Sequence, residues 1–158
     1  MTVAGQIPEY LPDRVRVHYR IAASDLNGYG LMHGGRLLTL CDEVAYLAAR
    51  RHVDAICLTR AVHRARFHQG LKSDTLIDIS ARLGLVGHSS LWVAVEVTLL
   101  PPGSLDADVS RAAMDAVFVF AAVDRNLRPV SVPPLKQKDV DPVLAQRLGR
   151  LRDSLGKS

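Results

Sequence analysis

Asn27 and Asp42 stand fifteen residues apart and bracket His33 and the pair Gly34-Gly35. A carboxylate such as Asp42 can take a proton from water or attack an electrophilic carbon itself. Backbone N–H groups at the start of a helix carry partial positive charge, and a glycine pair lets a ligand come close to them. The amide of Asn27 can orient a water or a carbonyl oxygen. On a wheel of about 3.6 residues per turn, Leu37, Leu40, Cys41, Val44, Leu47 and Ala48 form one apolar arc, while Arg36, Thr39, Glu43, Tyr46 and Arg50 point the other way. Asp42 sits at the edge of the apolar arc, flanked by Leu38, Ala45 and Ala49, where a plain amphipathic helix would carry Lys or Glu. Functional sites produce inconsistencies of this kind. Glu43 belongs to the polar arc and reads as a surface or interface residue.

The elements that must hold these groups are mostly strands. Glycines at 28, 30, 34 and 35 keep the first part of the stretch irregular, so the helix starts at about His33 to Arg36. Before it, Val15, Val17, Tyr19 and Ile21 alternate with Arg14, Arg16, His18 and Arg20, the pattern of a half-buried strand. After it, residues 54–65 resume an alternating character around Ile56, Leu58 and Val62, and residues 66–73 break it. Thr75–Leu83 and Leu91–Leu99 share a face of Ile, Val and Leu across the turn Gly87-His88-Ser89-Ser90, which predicts an antiparallel hairpin. Ala113–Val123 is apolar on both faces and is expected to be central in the sheet or covered by a neighbouring subunit. From Asp141 the apolar residues among charges read as a short surface helix. One long helix with about five antiparallel strands predicts an α+β domain, a single sheet curled around the helix.

Composition narrows the class. A chain of 158 residues with 48% apolar content is expected to form one domain, with an arm at 1–12, the domain at 13–135 and a tail at 136–158. No apolar run reaches the roughly 20 residues of a bilayer span, and the first residues lack a basic segment followed by an apolar one; a cytoplasmic protein is expected. Cys41 and Cys57 lie in apolar periodic segments without CxxC spacing, so they read as core residues, with neither a disulfide nor a metal site implied. The formal charge of +4 is spread along several segments, and 5% aromatic content offers few stacking platforms for single strands, so nucleic acid is not an expected partner. A small phosphorylated ligand fits that spread of charge.

The motifs resemble the hot-dog-fold acyl-CoA thioesterases, specifically the broad-range acyl-CoA hydrolase branch with the brain acyl-CoA hydrolases and small bacterial relatives. They are Asn27-x-x-Gly30, Gly34-Gly35, Asp42-Glu43, Phe67, Gly87-x-Ser89-Ser90 and the closing Phe118-Val-Phe-Ala-Ala-Val-Asp124, with Arg128-Pro129 and Val132-Pro133, in the family's order and near its spacings. The chain departs from the family where Gln69 replaces a proline, Ser73-Asp74 replaces Gly-Asp, His88 replaces a basic residue and His63 replaces an acidic one. His33-Gly34-Gly35 is also similar to the phenylacetyl-CoA thioesterase branch of the same fold.

The resemblance implies acyl-CoA hydrolysis without a cofactor, by hot-dog dimers often assembled further into hexamers, with the Asn and Asp of one site drawn from opposite halves of a dimer. In this chain Asp42 takes the place of general base or nucleophile, the N–H groups near Gly34 and Gly35 face the carbonyl oxygen, and Asn27 orients the water or thioester. His33 lines the site, and Arg64 or Arg66 with His88, Ser89 and Ser90 contact CoA phosphates. Each residue also has a structural reading: Asp42 as a salt-bridged helix carboxylate, the glycines as close packing, Asn27 as a turn cap, His33 as a residue that merely precedes the helix, the serines as only a turn. A second function class, a non-hydrolytic acyl-CoA-binding sensor or regulator on the same fold, stays open. No appended DNA-reading motif supports it. A hydratase or dehydratase would need a different His/Asp arrangement.

Overall fold

The computed structural model describes residues 14–103 and 111–156. The expected N-terminal arm, and most of the loop that follows Gly103, lie outside the described residues. In chain order the elements are β1 (Arg14–Arg20), α1 (Gly34–Arg50), β2 (Ile56–Phe67), β3 (Leu76–Val86), β4 (Ser90–Leu99), β5 (Ala112–Val123) and α2 (Pro142–Leu155). The strands form one antiparallel sheet in the order β1-β3-β4-β5-β2, so β5 is interior and β2 is an edge.

The sheet curls around α1. Leu37, Leu40, Cys41, Val44, Ala45, Ala48 and Ala49 are buried against it, with Ile77, Ile79, Val93, Val95, Phe118 and Phe120 among the facing residues. Each fully buried Leu, Val or Phe in such a core contributes about 1.5–3 kcal/mol of transfer free energy. The small residues at 45, 48 and 49 let the helix sit deep in the curl. Burial consequently rotates from the expected arc: Ala45 is enclosed, whereas Leu47 is 45% exposed. This is the five-stranded hot-dog arrangement that the sequence motifs imply.

Three expectations need correction. The strand expected to end at residue 65 runs to Phe67, because irregularities at Thr59/Ala61 and His63/Arg66 each absorb an extra residue and pairing resumes at Arg66 with Asp115 and Phe67 with Met114. Ile56, Leu58 and Val62 do not form a buried face; all three are more than 40% exposed, and Cys57 between the first two is the buried residue. The C-terminal helix is more than a surface element. Leu148 and Leu151 are buried against Trp92, Val117 and Val119 on the sheet face opposite α1, so β5, central in the sheet as the first of its two expected placements had it, is also covered by α2. Gly84 makes this docking possible, since a Cβ there would stand 2.6 Å from Leu144 Cγ. Asp141 caps α2 by accepting from the N–H groups of Val143 and Leu144, and it also accepts from Arg82.

Candidate active site

The loop that precedes α1 is built around the carboxamide of Asn27 and the carboxylate of Asp25. Asn27 Oδ1 accepts from the backbone N–H of Tyr29 at 2.9 Å and of Leu31 at 3.2 Å, which closes the turn, and Gly30 takes the left-handed φ of +77° that the turn requires. With the oxygen so engaged, the Asn27 amide nitrogen is turned away from the loop and has no hydrogen-bond partner among the described residues. Asn27 therefore does cap a turn, and the same capping fixes the direction of its free donor.

Asp25 sets the height of the helix start. Its buried carboxylate accepts from Tyr19 Oη at 2.7 Å, Ala22 N at 2.9 Å and Arg36 Nε at 3.0 Å, while its carbonyl oxygen accepts from His33 N at 2.8 Å. The Ala22 N–H, then the Tyr19 hydroxyl and Arg36, hold the Asp25 carboxyl below the ordinary aspartate range against the opposing effect of burial. A carboxyl whose folded pKa is depressed stabilises the fold fully above its unfolded value and loses that contribution as pH falls through the folded one. Asp25→Asn is accordingly expected to lower stability at neutral pH and to flatten the acid limb of a plot of urea midpoint against pH. An unchanged acid limb would mean that Asp25 is not the linked group.

At the helix itself His33 is the N-cap, and its Nδ1 accepts from Gly35 N at 3.0 Å. Its ring folds over Gly35, where a Cβ would meet His33 Cε1 at 3.1 Å. The Gly35 N–H is thus already engaged, which leaves Gly34 as the one of the pair whose N–H has no partner among the described residues. Gly34 faces the Phe67 ring at ordinary contact distance, 3.5 Å from a constructed Cβ. Asn27, Gly34, Leu37, Phe67, His68 and Leu71 are among the residues that line an open cleft of about 440 Å³.

Asp42 is absent from that cleft. It lies further along α1, half-buried, and its Oδ1 accepts from Thr59 Oγ1 of β2 at 2.6 Å. The hydroxyl orients the carboxylate and leaves Oδ2 without a partner among the described residues. Two separate contacts therefore join α1 to β2: Gly34 with Phe67 at one end and Asp42 with Thr59 at the other. Eight residues separate Gly34 from Asp42, roughly 12 Å at 1.5 Å per residue. Sequence reasoning missed Thr59. No local pattern distinguishes it from any other β-branched strand residue, because its partner comes from another element.

The residues suggested for phosphate contacts are not brought together within one chain. Ser90 pairs with Ala121 and Arg66 with Asp115, six positions along β5 and so roughly 20 Å apart. His88, Ser89 and Ser90 are engaged in holding the chain. His88 O accepts from Val132 N, Ser89 O from Ala122 N, and Ser90 Oγ from Trp92 Nε1. Arg64 and Arg66 border a different cavity, on the sheet face opposite α1. Among the described residues no cluster of His, Cys, Asp or Glu has the makings of a metal site. Cys41 is buried beside Met114, and burial pushes its thiol up to about 12.

A model of the thioesterase superfamily matches residues 29–104. An acyl-CoA thioester hydrolase of Zymomonas mobilis, itself uncharacterized, is 32% identical over 114 residues, which is 72% of this chain and 74% of the relative. The cytosolic acyl coenzyme A thioester hydrolase of Rattus norvegicus is 30% identical over 121 residues; they make up 77% of this chain but 32% of that protein, so the chain spans about a third of it. Among solved structures, acyl-CoA hydrolase from Bacillus cereus superposes with a TM-score of 0.76 at 25% identity, over 90% of this chain and 85% of that one. No helix among the described residues is long and apolar enough to cross a membrane.

Proposed function

Since the chain belongs to the thioesterase superfamily, we propose that it hydrolyses acyl-CoA thioesters to the free acid and CoA in a site shared between two copies of the chain. The observation that carries this reading is the separation of the two stations on α1. Asn27 and Gly34 border a cleft that Leu31, Met32, Leu37, Phe67 and Leu71 also line, while the carboxylate of Asp42 is held elsewhere by Thr59. A carbonyl carbon cannot be flanked by groups ~12 Å apart, since attack and oxyanion binding need contacts near 3 Å.

A second copy resolves the separation. β2 is an edge strand, and Ile56, Leu58, Val62 and Phe67 on it, with Tyr46 and Leu47 on α1, are exposed apolar residues that call for cover. An antiparallel pairing of two β2 edges is isologous. Centred near position 63, it sets Thr59 of one copy opposite Phe67 of the other. Asp42 of one copy then approaches the cleft of Asn27 and Gly34 in the other.

In that site the thioester carbonyl oxygen accepts from Gly34 N–H at the positive end of α1 and from the Asn27 amide, and the acyl chain lies along Leu31, Leu37, Phe67 and Leu71. Asp42 either deprotonates a water that attacks the carbonyl carbon or attacks it directly. In both routes the C–S bond breaks as the tetrahedral oxyanion collapses, and CoA leaves as the thiol after it takes up a proton; after direct attack the acyl group remains on Asp42 as an anhydride, which a water hydrolyses to release the acid and restore the carboxylate. The rat relative's name places that protein in the cytosol, and the same compartment is proposed for this chain.

Thiol release followed with a disulfide reagent across a series of acyl-CoA chain lengths tests the reading. Turnover that depends on chain length is expected, with free CoA equal to acid formed. Saturable acyl-CoA binding without thiol release would replace hydrolysis by a sensor role.

A further inference from the structure

A second cavity, of about 480 Å³, lies between α2 and the sheet face opposite α1, and its walls include Arg14, Arg64, Arg66, Arg82 and Arg147. Three acids share it, and two are committed. Asp115 is paired with Arg66 at 3.5 Å and with His68. Asp141 is paired with Arg82 at 2.9 Å while it caps α2. Glu96 is the remaining carboxylate.

Three further cationic groups line the cavity. Arg64 and Arg147 have no ion pair among the described residues. Arg14 Nε is buried without a hydrogen-bond partner among the described residues, an arrangement that is costly for a charged group. Arg14 also lies directly opposite Arg82 in the β1–β3 register, and the single carboxylate of Asp141 acts on both guanidinium groups. Arg64 holds a left-handed φ of +52°, unusual for a non-glycine residue, within the irregular stretch of β2. A local backbone cost, a buried donor without a partner among the described residues and five arginines against three acids converge on one groove.

From these we infer that the groove binds a phosphate-bearing anion on the sheet face away from the thioester cleft. Guanidinium forks match phosphoryl oxygens in pairs, and a cavity of this size admits a diphosphate with part of its organic substituent. The inference stands on the groove's own charges and does not depend on the hydrolytic reading.

Isothermal titration of the full-length protein with inorganic pyrophosphate tests it. Binding at one site per chain that weakens with added salt is expected. Arg64→Gly removes the guanidinium while relieving the left-handed backbone, and Arg147→Gln alters an exposed helix position; both variants should fold, as circular dichroism would verify. Each should weaken pyrophosphate binding about tenfold, the loss typical of one charge-assisted hydrogen bond. Absence of pyrophosphate binding, or binding unchanged in both folded variants, overturns the site. Repeating the titration with saturating CoA identifies the source of the anion. Loss of the pyrophosphate heat assigns the groove to the phosphates of the substrate itself, and an undiminished heat assigns it to a separate phosphorylated ligand.

Discussion

Asp42→Asn is expected to abolish thioester turnover while it leaves CoA binding nearly intact. The amide is isosteric with the carboxylate, and its oxygen can still accept from Thr59 Oγ1, so the contact between α1 and β2 is kept. What is lost is the ability to take a proton or to attack a carbonyl carbon. General base catalysis contributes ~10²–10⁴ in rate, so kcat should fall by at least about a hundredfold with KM little changed. Thr59→Val is the informative companion. It retains the shape of the side chain but removes the hydrogen bond that orients Asp42, and a bond to a charged acceptor is worth roughly 1.5–3 kcal/mol. A loss of roughly ten- to a hundredfold in kcat is expected from it, smaller than that of Asp42→Asn. If Asp42→Asn costs less than about tenfold, Asp42 plays no part in the chemical step.

Mixing two inactive variants should restore activity. Asn27→Ala damages the cleft and Asp42→Ala damages the carboxylate station, so if each site draws one group from each copy, a mixed dimer carries one doubly damaged site and one intact site. Random pairing of equal amounts makes about half of the dimers mixed, and about a quarter of wild-type activity should return. Both parents must first be nearly inactive, and native mass spectrometry must show that subunits have exchanged. Activity that stays at the parental level after complete exchange would place both groups of a site in one chain. The geometric objection to that alternative is the roughly 12 Å between Gly34 and Asp42 along a single helix axis.

The comparison of sequence with structure divides along range of contact. Whatever depends on neighbours a few residues away is written in local periodicity, which is why the α1 helix, the β1 alternation, the β3–β4 hairpin and the out-of-place carboxylate of Asp42 were all legible before any coordinates. The sheet wrapped around one helix follows from the order of those elements, and the motifs from Asn27 to Pro133 carry the family resemblance because they are local as well.

What the tertiary structure decided depends on register and on which groups already have partners. Thr59 reaches Asp42 only because β2 pairs with β5 at Phe120 and so lies beside α1. The Gly35 N–H is removed from the pool of free donors by a rotamer of His33, and the Asn27 amide is aimed by two backbone N–H groups. Leu47 turns outward and Ala45 inward because a curled sheet encloses more of the helix than a single arc, and it admits small side chains best where the approach is closest. Arg66 separates from Ser90 because their pairing positions, Asp115 and Ala121, are six positions apart on β5, a distance that no reading of one strand at a time contains. Periodicity states which face of an element is apolar; only the packed chain determines what that face meets.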